Sequence, residues 1–162
     1  MDENTQKVMF SSKSDEWATP QEFYDKLDRT HHFTLDPCAS HENHKCDKYF
    51  TMEDDGLEQS WAGETVFVNP PYSDIKAWVA KSYYEVRNQM FPTKVVLLIP
   101  ARTDTKYFHE YCMRAKEILF VKGRLKFGNQ KNSAPFPSMV VIFESSDKLT
   151  YQTPRIDMLE RK

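Results

Sequence analysis

Asn69, Pro70, Pro71 and Tyr72 stand together at the end of an apolar run, in the stretch TVFVNPPYS at positions 65–73. Two consecutive prolines fix φ twice and remove two N–H donors, so the turn is stiff and its carbonyls have few competing internal partners. Such a turn can hold the Asn69 amide oxygen and the Pro70 carbonyl side by side, two acceptors aimed at one point. Their complement is an NH₂ group, and the flat face of Tyr72 suits a planar ring that carries one. The plainer alternative is a turn that merely ends a strand, with Tyr72 packed at the edge of the core.

Other residues could take part. Asp36 and the pair Asp54 and Asp55 offer carboxylates to a cationic or hydroxyl-bearing ligand, although Asp36-Pro37 is also an ordinary turn and the pair an ordinary solvated loop. Lys122, Arg124, Lys126 and Lys131 lie within ten residues with no acid between them, interleaved with Phe127, Asn129, Gln130 and Asn132. They supply both phosphate contacts and base-edge readers, or else form only a solvated hairpin edge. Arg102, just past the run VVLLIP, is placed to hold a phosphate or a base edge; Phe136, between two prolines, is a loop anchor or a second wall for a stacked ring. Cys38, His41, His44 and Cys46 read C-x2-H-x2-H-x-C, a spacing too compressed for a zinc knuckle, so no metal is expected.

These groups need elements to position them. TPQEFYDKLDRTH reads as a helix, with Thr19 as cap, Pro20 at its first position, Glu22 in the capping-box place and Phe23, Tyr24 and Leu27 as its buried stripe. HFTLDPC reads as a short strand ended by Pro37, and ASHENHKCDKYF as a short helix or a loop. GETVFVNPPY is a strand with Val66 and Val68 on one face and Phe67 on the other, followed by a helix over SDIKAWVAKSYYEVRNQ with Ile75, Trp78, Val79 and Tyr83 inward. TKVVLLIPA has the unbroken apolar run of a strand covered on both faces. TKYFHEYCMRA reads as a helix, and EILFVKGRLKF and PSMVVIFE as two strands around a polar loop. The alternation predicts an α/β sandwich with a mostly parallel sheet, and the last two strands, joined without a helix, predict an antiparallel strand at its edge. Ligands of such sheets bind beyond the carboxyl ends of the strands, where Asn69 to Tyr72 fall.

The chain of 162 residues is long enough for one domain. We expect a frayed terminus over 1–14, the domain over 15–144, and an edge strand or tail over 145–162. Three irregularly spaced cysteines, no signal peptide and no apolar run of membrane length predict a soluble protein of a reducing cytoplasm. The charge is divided: residues 1–75 hold 16 acidic and 6 basic side chains, residues 76–162 hold 8 and 16. Two faces with different partners, one of them polyanionic, would produce this asymmetry.

NPPY after an apolar strand resembles the catalytic motif of S-adenosylmethionine-dependent amino methyltransferases, which act on adenine N6 or on a glutamine amide. WATPQEFYDKL (17–27) is similar to the N-terminal motif of adenine-N6 enzymes, which implies that Trp17, Thr19 and Pro20 lie beside the methionine part of the cofactor. TLDPCAS (34–40) resembles the first cofactor motif, implying roles for Asp36, Pro37 and Ala39, with Ala39 and Ser40 in place of the usual glycines. EDDGL (53–57) resembles the acidic motif that holds the cofactor's adenine or ribose, through Asp54 or Asp55. PARTDTKYFH and GRLKFGNQKNSAPFPSMVVIF are similar to the second half of the phage-type, Dam-like DNA N6-adenine methyltransferases.

The resemblance implies a compact Rossmann-like fold without a separate target-recognition domain, S-adenosylmethionine as cofactor, double-stranded DNA as partner, and neither metal nor membrane. For a phage-encoded enzyme the compartment is the host cytoplasm. It implies that Asn69 and Pro70 accept the two N6 protons of a flipped adenine and Tyr72 stacks its ring, flipping costing a few kcal/mol and stacking returning roughly 1–3 kcal/mol. The alternatives are methylation of RNA adenine or of a protein glutamine, and a non-catalytic nucleic-acid binding module on the same fold.

Overall fold

The computed structural model describes residues 18–87, 90–128, 133–145 and 153–162. Five strands form one sheet in the order β1 (Thr65–Val68), β2 (Lys94–Pro100), β4 (Ser138–Glu144), β3 (Glu117–Val121), β5 (Arg155–Leu159). β1 pairs parallel to β2, β3 parallel to β5, and β4 antiparallel to both β2 and β3. The fold is thus α/β with a mixed sheet in which four strands point one way. The reversed strand is not at the edge, as expected from the sequence, but in the interior. Burial agrees with this order: SMVVIFE buries six successive residues between β2 and β3, whereas the edge strand β5 is mostly exposed and carries Arg155 and Asp157.

Period-two alternation sorts the core into two layers. Val66, Val68, Val95, Leu97, Ile99, Met139, Val141 and Phe143 face the helices α2 (Ile75–Glu85) and α3 (Lys106–Glu110). Phe67, Val96, Leu98, Val140 and Ile142 face α1 (Gln21–His31), which contributes Phe23, Tyr24 and Leu27. The inward residues of α1 and α2 are those that the helical period selects. The ends differ. Pro20 takes the N-cap position of α1, with no side-chain cap, and Thr19 does not cap but is buried at 3% exposure. The helix expected after Thr105 is shorter, α3 giving way to a 3₁₀ turn at Cys112–Arg114.

Two further differences bear on the site. HFTLDPC forms no ladder: Leu35 makes a single parallel bridge to Val66, and Asp36 one to Tyr49. Pro37 has no N–H to continue, and the main chain changes partner between the two residues. Leu35 accepts from Phe67 N, whereas Asp36 N donates to Lys48 O and Asp36 O accepts from Phe50 N. The strand expected over 117–127 ends at Val121, where the chain bends through Gly123 at φ 80°. Because β4 is reversed, its start lies level with the end of β2, Ser138 pairing with Pro100. Asn69, Arg102, Lys122 and Phe136 therefore all leave the same edge of the sheet.

Candidate active site

A cavity of about 550 Å³ opens at this edge, a size that takes a nucleoside-sized ligand. It is walled by the loop after Leu35, the 51–57 loop, the Asn69–Pro71 turn and the start of α2. Of the residues selected from the sequence, Thr19, Asp36, Pro37, Ala39, Asp55, Asn69, Pro70 and Pro71 line it. Pro20, Asp54, Tyr72, Arg102, Lys122, Arg124, Lys126 and Phe136 do not. Trp17, Lys131 and Asn132 lie outside the described residues.

Asp36 is 5% exposed and its carboxylate is held by backbone alone: Cys38 N donates to Oδ1 at 3.3 Å and Lys45 N to Oδ2 at 2.9 Å. Burial raises its pKa to about 6, against the pull of those two N–H groups. Asp54 and Asp55, indistinguishable in the sequence, separate. The Asp54 carboxylate accepts from Thr51 N (2.9 Å) and Thr51 Oγ1 (3.1 Å), which hold its acid below the usual range and close the loop. Asp55, at φ 55°, turns the chain into the cavity wall.

Gly56 explains how the two loops meet. A Cβ there would stand 2.1 Å from the Pro37 carbonyl oxygen and 3.1 Å from Trp78 Cη2, so only glycine permits the approach. The Gly56 carbonyl accepts from Trp61 Nε1 at 2.9 Å, and the Trp61 and Trp78 rings stack with centroids 6.1 Å apart. Five carboxylates line the cavity (Asp36, Glu42, Glu53, Asp55, Asp74) against one lysine, Lys45. Burial, and then the charge of Asp55, raise the acid of Asp74.

Beyond the Asn69–Pro71 wall, Tyr72 begins a 3₁₀ turn and packs between the two core layers. Phe136 meets its ring edge-on at 5.0 Å and 82°, backed by Phe127 at 6.2 Å. Phe136 is buried, which makes it an anchor of its loop and a brace for Tyr72. Burial pushes the Tyr72 phenol above its ordinary range, and Arg102 draws it back.

A family model described as DNA N-6-adenine-methyltransferase (Dam) matches residues 6–159. The chain belongs to the Dam family. A DNA N-6-adenine-methyltransferase of Haemophilus phage HP1 (strain HP1c1) is 30% identical over 149 residues, 87% of this chain and 83% of that protein. One of Escherichia phage T1 is 32% identical over 113 residues, 68% of this chain and 46% of that protein.

In this Dam-family chain the described basic residues selected from the sequence leave the same end of the sheet as the cavity wall but do not line the cavity. Lys122, Arg124 and Lys126 are exposed, alternating with buried Leu125 and Phe127. The segment is tied down by Ala134 N donating to Leu125 O (2.8 Å) and Gly128 N to Ala18 O (2.7 Å). Lys122 has a long 3.8 Å ion pair with Glu160, a contact of little energetic weight between exposed groups. The Cys/His cluster gathers no metal set among the described residues. Its members are used otherwise: His41 Nδ1 meets Tyr49 Oη, His44 stacks on Tyr49, and Cys46 meets the Tyr24 hydroxyl. No described helix is long and apolar enough to cross a membrane. The sequence reading missed Lys45, Gly56 and Trp78; of these Gly56 carried a signal, a glycine closing an acidic loop in a chain with only four.

Two predictions arise. Gly56→Ala is expected to destabilise the chain by roughly 1–3 kcal/mol or more through overpacking, read as a fall in Tm; an unchanged Tm would mean that the two loops are not in contact. For Asp36, an acid whose folded pKa lies above its unfolded value binds protons more readily in the native state. Its contribution therefore becomes unfavourable as pH rises through about 4 to 6 and stays so above 6. The stability of the ligand-free chain relative to Asp36→Asn should fall by roughly 2–3 kcal/mol over that window in urea unfolding, whereas a pH-independent difference would exclude a buried charge.

Proposed function

We propose that this chain transfers a methyl group from S-adenosylmethionine to N6 of an adenine flipped out of double-stranded DNA, on a Rossmann-like fold. The observation that carries the reading is that the Asn69–Pro71 turn is itself a wall of the acidic cavity, which sets the turn expected to pair two acceptors beside a cofactor-sized space. The residues fit the cofactor: a cation-attracting set of carboxylates, apolar walls from Leu57 and Trp78, and a close approach that only Gly56 allows. S-adenosylmethionine supplies, when bound, an electrophilic methyl group on a sulfonium.

The roles follow from chemistry. Asp36 takes the cofactor's ammonium, Asp55 rather than Asp54 its ribose hydroxyls or adenine amine, and Thr19 borders its methionine end. Adenine N6 is a poor nucleophile because its lone pair is delocalised into the ring. With the Asn69 oxygen and Pro70 carbonyl accepting its two N–H bonds, the nitrogen is drawn toward a tetrahedral shape and the pair is localised. These bonds strengthen as positive charge grows on nitrogen, so alignment and electrostatics supply the acceleration without a dedicated general base. Tyr72 stacks the extruded ring, braced by Phe136. Arg102, Lys122, Arg124 and Lys126, with Lys131 and Asn132 beyond the described residues, hold phosphates and read base edges from loops after residue 100.

Transfer of labelled methyl to unmodified duplex DNA, followed by nucleoside analysis, tests the reading; label in N6-methyladenine is expected. Asn69→Ala should keep cofactor binding and lose turnover by roughly 10³-fold, and near-normal turnover would remove the mechanism. Reversing Arg124 and Lys126 to glutamate should weaken binding to duplexes of any sequence and flatten its salt dependence; an unaffected enzyme would point to a protein glutamine as substrate.

A further inference from the structure

One cationic residue lines the cavity, and the roles above leave it without a task. Lys45 is the single lysine or arginine among lining residues that include five carboxylates. Its backbone N–H on Asp36 Oδ2 sets it beside that acid, yet its ammonium does not bond to it. Nζ donates instead to Gln21 Oε1 at 2.8 Å and lies 5.8 Å from the centre of the Tyr24 ring. Gln21 is itself oriented by Nε2 donating to Asp25 Oδ1 at 2.8 Å. None of the ion pairs among the described residues includes Lys45. Burial draws its ammonium below the ordinary lysine range, while Asp36 and Asp25 pull it back.

A half-buried ammonium whose hydrogen-bond partner is a neutral amide has the carboxylates of Asp36 and Asp25 near it but none in contact. An anion would complete it. The carboxylates around the cavity repel a free anion, so the negative group must belong to a ligand that is otherwise neutral or cationic. Asp36 offers a buried carboxylate, and the residue whose backbone N–H holds that carboxylate carries an ammonium on a flexible stem; together they can complement a zwitterion, one group for –NH₃⁺ and the other for –COO⁻. The setting adds to this: α1 begins at Gln21 with no side-chain cap, so its unsatisfied N–H groups and positive dipole end lie beside Lys45. Thr19, two residues earlier, lines the same cavity.

We propose that Lys45 holds the α-carboxylate of the methyl donor's amino-acid end while Asp36 takes the α-ammonium, so that the cavity selects donors with an intact amino-acid head. The assignment rests on the reading of the cavity as the S-adenosylmethionine site. It makes Lys45 a binding and specificity residue, remote from the reacting atoms.

Calorimetric titration of the full chain with S-adenosylmethionine and with its decarboxylated form tests it. The wild-type chain should bind the intact compound more tightly. Lys45→Met should weaken intact S-adenosylmethionine by about 10- to 100-fold, the range of a hydrogen bond between charged groups, and leave the decarboxylated form nearly unchanged. Lys45→Arg should retain most of the selectivity. If Lys45→Met weakens both compounds alike, or neither, the proposal is overturned; equal affinity of the wild-type chain for both overturns it without any variant, and leaves the cofactor reading standing. A wild-type chain that binds neither compound overturns both.

Discussion

Asp36 is the point on which the functional edge turns. A carboxylate at 5% exposure loses most of its hydration, and this one regains only two backbone N–H bonds, from Cys38 and Lys45. To deliver them the chain must fold back on itself over residues 36–45, and the same carboxylate therefore shapes the loop that walls the cavity. The raised acid shows that the compensation is partial. A site with an under-compensated negative charge is less stable empty than filled by a cation, and that imbalance is what a cation-binding cavity requires. The change of main-chain partner between Leu35 and Asp36 serves it too, since it takes Asp36 off the sheet and onto the 48–50 segment.

The reversed β4 solves a second problem. Were the sheet wholly parallel, the segment after β3 would need a crossover helix to return, and the basic residues would be spread along it. A direct connection into an antiparallel strand keeps Arg124 and Lys126 at the carboxyl edge and brings Phe136 back against Tyr72. The wall that meets the cavity and the segment that carries positive charge are then joined through an aromatic pair, Tyr72 and Phe136, backed by Phe127.

Much of this was legible in the sequence, for identifiable reasons. The two-face alternation of Val66, Phe67 and Val68 and the unbroken run of β2 report burial directly, and burial sets both the strands and the faces. NPPY was legible because prolines restrict the backbone whatever surrounds them. Strand order was not: a short buried strand reads the same beside one neighbour as beside two, so one of the last two strands was expected to run antiparallel at the edge. Thr19 illustrates a competing use, a good capping residue that the structure buries against the cavity instead. Asp54 and Asp55 are alike in composition, and only the Thr51 hydrogen bonds tell them apart. Lys45 escaped notice because a lysine in a polar stretch is ordinarily solvated, and nothing local marks one whose backbone N–H holds a buried carboxylate.

The divided charge also has a kinetic meaning. A cationic small molecule and a polyanionic duplex that approach one edge would meet opposing fields if acidic and basic residues were mixed there. Here the carboxylates are drawn into a concave wall, and Lys122, Arg124 and Lys126 stand outside it on an exposed segment. With the Debye length near 10 Å at about 0.1 M salt, each partner senses chiefly the patch nearest to it. Acids gathered in a concave wall and bases on an exposed segment therefore act as two patches of opposite sign and not as one mixed surface. Asn69 belongs to the acidic one, as part of the cavity wall.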